Sequence, residues 1–331
     1  MFEEKRKLTN GERSLSHYIP FSAVIDRGVV ICKNGDLVGT VRISGRVFEA
    51  VSNEILQRDA EKQNNFLKVM AASSSTDEMC IKVHRIRRII HDELSAPSDP
   101  KTEFVNDFIR SYNSGLSSDS LMATELYVSL ISHKATSVRL DKANADEIKE
   151  EILERLSIFK KVFSNLVDSL TDFEPEVLAE YKDQSGYTFS HQLSFYNFLI
   201  TGFWQPVRVP CMPLSEALGN VQIFCGADTL QFQSALSTQF AQSIELKDFP
   251  TATYSRLLDV MLYNSAQQDT PYCFIETQSF ACMSKLKGLK VLKQQQNQLK
   301  SANDDGVSQI QLLSFARDMV ANGELVMGDY S

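Results

Sequence analysis

The sequence lacks a phosphate-binding loop and the short motifs that mark common catalytic sites. A Walker A loop needs Gly-x-x-x-x-Gly-Lys-Ser/Thr, so that backbone amides and a lysine surround the phosphates. Neither Gly-Lys-Ser nor Gly-Lys-Thr occurs in the 331 residues, and Gly-x-Gly-x-x-Gly, His-Glu-x-x-His and Gly-x-Ser-x-Gly are also absent. We therefore expect no catalytic, cofactor-binding or metal-binding residues in this chain.

Paired cysteines and long apolar runs are missing as well. The six cysteines form no Cys-x-x-Cys pair and sit in apolar stretches, which predicts buried free thiols in a reducing compartment. No run approaches the roughly 18 apolar residues of a membrane span. The first residues, MFEEKRKLTNGERS, lack the apolar region of a signal peptide. We expect a cytoplasmic protein unless a partner holds it at a membrane.

Basic charge is also scarce relative to acidic charge. The formal net charge is -8, with 34 lysines and arginines against 42 aspartates and glutamates. A net negative charge disfavours non-specific electrostatic binding of the whole chain to DNA or RNA, although a local basic patch can still bind either. Direct binding to nucleic acid is therefore the less favoured class of function.

Periodic apolar patterns predict alternating strands and helices in the first half. The segment VVICKNGDLVGTVRI (29–43) has two β-rich runs around Asn34-Gly35, a strong hairpin signal. The further elements predicted are helices near 52–72, 102–113 and 145–170 and strands near 79–90 and 125–131. Strands with helices on one face make a two-layer sandwich. We assign residues 1–172 to a first α+β subdomain.

The acidic segment TDFEPEVLAEYKDQSG marks the predicted internal boundary. After it we expect an aromatic helix over 188–200, strands near 221–225, 228–234, 238–246 and 272–276, and a helix near 253–263. These elements make residues 173–276 a second α+β subdomain, and helices over 278–303 and 307–321 form a hairpin in residues 277–331. The predicted class is α+β, with two α/β-sandwich subdomains, mainly antiparallel sheets and a C-terminal helical hairpin.

Basic side chains follow one another on the strand predicted at 79–90. Arg85 and Arg87 would lie on one face and His84 and Arg88 on the other, because side chains alternate along a strand. The split weakens the cluster as a nucleic-acid signal. Two interpretations remain open, an edge strand protected by charge and an ion-pairing contact with an acidic partner.

A second basic set lies on the predicted penultimate helix. Its lysines, which include Lys285 and Lys290, spread over about half the circumference. Either they are a solvated surface, or they contact an anionic partner such as a protein tail, a lipid head group or single-stranded DNA.

The string TGFWQPVRVP contains Trp204, the only tryptophan. Pro206 and Pro210 stiffen the backbone around it. This segment is either a recognition element or, the interpretation we favour, a plug of the core, because tryptophans are usually well buried.

Several strings in fixed order resemble one family. They are LSHYIPFSAVIDRGVVICKNGDLVGTVRISGRVFE, VHRIRR, ELYVSLI, GFWQPVRVP, LKDFPTATYSRLLD, TQSF and GELVMGDYS. In this order they resemble the N-terminal region of the large conserved ATPase of type IV secretion and conjugation systems, the TrbE/CagE class of the VirB family. The likeness extends over nearly the whole chain.

The resemblance implies a scaffold that precedes a motor. Family members carry a RecA-like domain with Walker A and Walker B motifs, which would use ATP and magnesium, shortly after the segment resembling GELVMGDYS. We therefore expect this chain to be the non-catalytic N-terminal part of an ATPase. The partners implied are inner-membrane subunits of the secretion channel, other secretion ATPases and further copies in a hexamer, at the cytoplasmic face of the inner membrane. The alternative is a nucleic-acid-binding module that contacts the transferred strand.

Overall fold

The computed structural model describes most of the chain. The described residues are 14–45, 51–73, 78–89, 104–105, 107–109, 122–133, 145–235, 237–245, 273–301 and 307–330. The helix predicted near 253–263 lies outside them, and so does most of the helix predicted near 102–113.

Strands and helices alternate along the described ranges. The strands are β1 (Phe21–Asp26), β2 (Val29–Cys32), β3 (Leu37–Ile43), β4 (Glu78–Ile89), β5 (Met122–His133), β6 (Glu176–Val177), β7 (Glu180–Lys182), β8 (Thr188–Ser190), β9 (Val207–Arg208), β10 (Gln222–Cys225), β11 (Leu230–Gln233), β12 (Thr238–Ala241), β13 (Phe274–Cys282) and β14 (Gly328–Tyr330). The helices are α1 (Asn53–Ser73), α2 (Ala145–Ser169), α3 (His191–Thr201), α4 (Leu214–Ala217), α5 (Lys285–Ser301) and α6 (Val307–Asn322).

The chain forms two compact units that interleave along the sequence. Unit 1 comprises Met1–His84, Leu126–Asn220 and Thr277–Ser331, and unit 2 comprises Arg85–Glu125 and Val221–Glu276. This grouping differs from the consecutive subdomains 1–172, 173–276 and 277–331 that we predicted. The physical reason is strand pairing between distant segments, which local composition does not reveal.

Unit 1 contains the three-stranded sheet β7-β8-β9 and most of an eight-stranded sheet. The strand order of the larger sheet is β1-β2-β3-β5-β4-β13-β14, with β6 paired to β3. The pairs β1–β2, β2–β3, β3–β5 and β13–β14 are antiparallel. The predicted α+β class with antiparallel sheets is confirmed.

The β2–β3 hairpin is confirmed, with a loop one residue longer than the two-residue Asn-Gly turn. Val29 pairs with Gly39 and Ile31 with Leu37, while the Gly35 amide donates to the Cys32 carbonyl at 3.0 Å. Gly35 has φ 89°, a conformation that suits glycine because it has no Cβ. The loop is therefore of the three-residue kind, with glycine in the left-handed position.

Helices cover both faces of this sheet. On one face, α1 and α2 pack against a core that includes Leu37, Val41, Met70 and Phe159. The other face carries α3, whose residues contact alternate positions of the strands. Our prediction of helices on one face only was wrong, because the aromatic helix that we placed in a second subdomain completes this core.

Polar groups between the sheet and α3 bond to one another. The Tyr196 hydroxyl lies 3.1 Å from the Thr40 hydroxyl, which is 2.9 Å from that of Ser129. The Gln192 amide donates to the Val38 carbonyl at 3.2 Å. Buried polar groups need such partners, so this network fixes α3 in register with β3.

The segment 278–284 corrects a second prediction. We expected a helix from 278, whereas β13 continues to Cys282 and α5 begins at Lys285. Phe280 and Cys282 pack into the core, and residues 280–282 pair with β14. Burial of alternate side chains in a sheet therefore outweighs the local helical pattern.

The helical hairpin itself is confirmed. Buried Leu292 and Val320 lie in α5 and α6, and the Arg317 guanidinium donates to the Gln296 side chain at 3.4 Å.

Unit 2 contains a three-stranded antiparallel meander. Phe224 pairs with Gln231, which pairs with Phe240, so these three side chains form one row on one face. The strands predicted at 221–225, 228–234 and 238–246 are confirmed, with shorter bounds.

Candidate functional site

Arg85 and Arg88 of the basic strand β4 have carboxylate partners within the chain. In unit 2, Arg88 holds Glu125 with two contacts, Nε to Oε2 at 2.8 Å and Nη2 to Oε1 at 3.4 Å. Arg85 lies 2.7 Å from a carboxylate oxygen of Glu276. Bidentate guanidinium–carboxylate pairs are among the stronger polar contacts in proteins. Arg85 and Arg88 therefore have structural partners, and their contact with another protein stays a prediction, as does that of Arg87.

Trp204 is packed on one side, and its role in recognition stays a prediction. Its ring packs edge-on against Phe198 with centroids 5.3 Å apart, and lies 6.4 Å from Tyr127. The side chain is nevertheless 39% exposed. One side of the Trp204 ring therefore packs against Phe198 and Tyr127, and the other side faces solvent.

Lys285 and Lys290 are exposed on α5. The opposite side of this helix is buried through Gly288, Leu292 and Gln296. Helical geometry therefore places Lys290 on the solvent face. Of the predicted site residues, the arginines belong to unit 2. Within unit 1, Trp204 packs beside α3 and the lysines lie on α5.

A surface that the sequence analysis missed is the exposed row on the meander, which we call the aromatic row (Phe224, Gln231 and Phe240). Phe224 is 50% exposed and Phe240 is 70% exposed. No lysine or arginine occurs between residues 209 and 246. Exposed aromatics in a nearly uncharged segment are typical of protein-binding surfaces. The sequence did contain a signal, because apolar residues such as Ile223 and Phe224 occupy consecutive positions of a short strand. Consecutive side chains point to opposite faces of a sheet.

The helical hairpin carries a second exposed apolar pair. Leu312 and Phe315 on α6 are 66% and 63% exposed. They lie three residues apart and therefore share one face of the helix.

The six cysteines are all free, and three of them contradict the prediction of burial. Cys32, Cys80 and Cys282 are buried, whereas Cys211, Cys225 and Cys273 are exposed. Burial raises the pKa of the Cys32 and Cys282 thiols to about 12. Within the described ranges, no three or more His, Cys, Asp or Glu side chains are placed to hold a metal ion.

One titratable cluster lies beside the hairpin loop. His133 Nδ1 is 2.8 Å from Asp36 Oδ2, and this carboxylate also accepts from the Asn34 amide at 2.8 Å. Hydrogen bonding to Asp36, reinforced by Cys80, raises the pKa of His133 to about 10. His133 is therefore a cation near neutral pH.

Two family models match this chain. One is the N-terminal domain of the type IV secretion system ATPase VirB4/TrbE, over residues 28–138. The other is the CagE, TrbE, VirB family, described as a component of the type IV transporter system, over residues 176–331. The chain belongs to the CagE, TrbE, VirB family. The resemblance seen in the sequence is thus confirmed, and residues 28–138 are the family's VirB4/TrbE N-terminal domain.

Curated relatives of this VirB4/TrbE chain agree with the family models. The type IV secretion system protein virB4 of Brucella melitensis biotype 1 is 31% identical over 340 residues, covering 97% of this chain and 39% of the relative. The PtlC homolog of Bordetella bronchiseptica is 30% identical, covering 98% of this chain and 39% of the relative. The virB4 protein of Bartonella henselae is 23% identical over 95% of this chain. The chain therefore spans 39% of the length of the relatives that it matches.

Among the helices in the described ranges of this VirB4/TrbE chain, none combines the length and the apolar character that spanning a bilayer requires.

Proposed function

We propose that this chain is the docking and assembly region of a type IV secretion ATPase. The observation that carries the proposal is the aromatic row, where Phe224 and Phe240 expose half or more of their side chains. Family membership supports a place in a type IV transporter. The region tethers a motor, which lies outside this chain and uses ATP and magnesium, to a multi-protein channel.

The partner proposed for the aromatic row is an inner-membrane subunit of the secretion channel. Around the row, Asp228 and Glu245 are the charged residues of segment 221–245. A nearly uncharged aromatic surface suits an apolar segment of a membrane-associated protein better than it suits an ionic partner. The protein would then sit at the cytoplasmic face of the inner membrane by attachment. Other secretion ATPases and further copies in a hexamer are the remaining partners that we propose.

Co-purification tests the docking role. The chain is mixed with detergent-solubilised channel subunits, and the retained fraction is compared with that of a double variant, Phe224→Ser with Phe240→Ser. We expect at least a 10-fold loss of capture, because aromatic anchors dominate interfaces. Phe315→Ser is the matched control, since Phe315 has similar exposure on α6. Equal capture by the double variant, or a larger loss in the control, contradicts docking through the aromatic row.

A second candidate function is contact with nucleic acid through α5. It is favoured by the exposure of Lys285 and Lys290, while the internal pairing of Arg85 and Arg88 removes part of its original basis. Such binding would weaken steeply with salt. A mobility-shift experiment with single-stranded DNA at low salt tests this function. A shifted band that the double variant Lys285→Glu with Lys290→Glu abolishes would support it. The absence of a shifted band, or a band that the double variant leaves unchanged, would contradict it.

A further inference from the structure

One edge of the meander in unit 2 is a regular and exposed strand. Among the described strands the order is β10-β11-β12, so β12 lies at the edge. Its residues pair one to one with β11, from Thr238 opposite Gln233 to Ala241 opposite Leu230. All of its residues are exposed. A straight and exposed edge of this kind is a template for pairing with another strand.

The backbone groups of β12 alternate between the sheet and its open edge. The Ser234 amide donates to the Ser237 carbonyl at 2.9 Å in the turn that precedes β12. Hydrogen-bonded residue pairs alternate from there along an antiparallel ladder, so Gln239 bonds to β11. The N–H and C=O groups of Thr238 and Phe240 therefore point outward, and the described residues supply no hydrogen-bond partner for them.

The edge also lacks the charges, prolines and bulges that usually protect an exposed strand. Residues 229–244 contain neither a charged residue nor a proline, and the pairing of β11 with β12 is continuous without a bulge. Exposed apolar side chains continue past the end of the strand, because Phe240 is 70% exposed and Ile244 is 91% exposed. This edge is therefore open to another uncharged strand.

Charge favours a second copy of the chain as the source of that strand. The net charge is -8, so two copies repel one another over most of their surfaces. An uncharged segment is where they can approach. A contact about a two-fold axis uses the same surface of both copies, and a charged edge would place like charges opposite one another. The uncharged β12 avoids this repulsion and is self-complementary.

We propose that β12 pairs with β12 of a second copy, in antiparallel register about Phe240. This register places Phe240 opposite Phe240 of the second copy, and Thr238 opposite its Gln242. Each pair joins residues whose N–H and C=O groups point outward. The two three-stranded sheets become one sheet, and the aromatic row continues across the two-fold axis through a cross-strand aromatic pair.

This inference deepens the proposed function, because it rests on further copies being partners and names the surface that they use. Pairing of copies uses backbone groups at the edge of the sheet, whereas docking of a channel subunit uses side chains on one face. Capture of channel subunits can therefore fail while copies still pair, and the reverse also holds.

Sedimentation velocity of the purified chain, without other proteins, tests the pairing. We expect a dimer with twice the chain mass of 37.3 kDa at about 100 μM, a concentration suited to the micromolar Kd of a small interface. Thr238→Lys combined with Gln242→Lys places lysine opposite lysine across the two-fold axis. This first variant should raise the Kd at least about 10-fold, since like charges directly opposite one another destabilise a strand pair.

The matched variant is Thr238→Lys combined with Gln242→Glu. It changes the same two exposed positions but places opposite charges together, so it should keep the Kd within about 3-fold of that of the unsubstituted chain. A misfolded meander would affect both variants alike. A monomer at the stated concentration, even one that binds an added channel subunit, overturns the proposal. Equal dimerisation of the first variant and the unsubstituted chain, or equal dissociation of the two variants, also overturns it.

Discussion

The sheet of unit 1 and the meander of unit 2 use the same antiparallel pairing but leave their apolar side chains in different surroundings. In the sheet, Leu37 and Val41 are completely buried under α1 and α2. In the meander, Phe224 and Phe240 are largely exposed. Burial of apolar surface stabilises a fold, whereas exposed aromatics remain available for a partner. We therefore expect sequence changes in the sheet to affect folding, and the docking role that we propose predicts that changes in the meander affect binding.

The largest expected effect compares Phe159, which packs on the sheet from α2, with Phe240 on the meander. Phe159→Ala removes a side chain of 0% exposure and should lower the free energy of unfolding by about 3–5 kcal/mol, since it leaves a cavity. Phe240→Ala should change it by less than about 0.5 kcal/mol. Urea unfolding followed by circular dichroism measures both. Similar losses in the two variants would show that the meander is part of a packed core.

Unit 2 also contains a buried contact, the Arg88–Glu125 pair, which can be compared with the exposed side chains of the meander. The two side chains are 12% and 7% exposed. Arg88→Ala should cost about 3 kcal/mol, since Glu125 is left buried without its bidentate partner. Arg88→Met combined with Glu125→Leu should recover most of this loss, and the same urea experiment measures it. An exposed lysine, Lys285→Ala, is the control, and a loss as large as that of Arg88→Ala there would contradict the interpretation.

A smaller effect is expected from protonation of His84. Burial, with a contribution from Lys82, lowers the pKa of His84 to about 4, compared with about 6.5 in the unfolded chain. Between these values the unfolded state binds more protons, so stability decreases as the pH falls from 6.5 toward 4. We expect the contribution of His84 to fall by about 2 kcal/mol between pH 8 and pH 5. The raised pKa of His133 acts in the opposite direction over this range, so the loss is measured as the difference between the unsubstituted chain and His84→Gln.

Thermal unfolding as a function of pH measures that loss, and His84→Gln is its control. The ring contacts Thr277 at 2.9 Å, a contact that the glutamine amide can replace. The variant should lack the acid-dependent step attributed to the histidine. An unchanged step in His84→Gln would assign it to another group.

The amino-acid pattern predicted elements that depend on local periodicity. The β2–β3 hairpin, α2 with its apolar stripe and the meander strands are of this kind. Each is encoded within a short stretch of sequence, by an Asn-Gly turn, a 3.6-residue period or alternating residues. Local sequence patterns therefore predicted these helices and strands, and with them the α+β class.

The remaining features depend on contacts between distant residues. Residues 278–282 were predicted as helix, because their strand character comes from pairing with β14 and packing of Phe280 into the core. In the same way, the Glu125 partner of Arg88 lies 37 residues away, and periodicity carries no information about it. The aromatic row was missed because exposure depends on what packs above a strand.

The pairing of β4 with β13 has a consequence for synthesis of the chain. His84 on β4 bonds to Thr277 on β13, 193 residues further on. At 5–20 residues per second, a ribosome needs roughly 10 to 40 s to cover this distance. Throughout this interval β13 has not been synthesised, and the backbone N–H and C=O groups on that side of β4 are unpaired. These groups can form hydrogen bonds with other chains. The charge of Arg85 then discourages pairing with other chains during translation, before its carboxylate neighbour on β13, Glu276, has been synthesised.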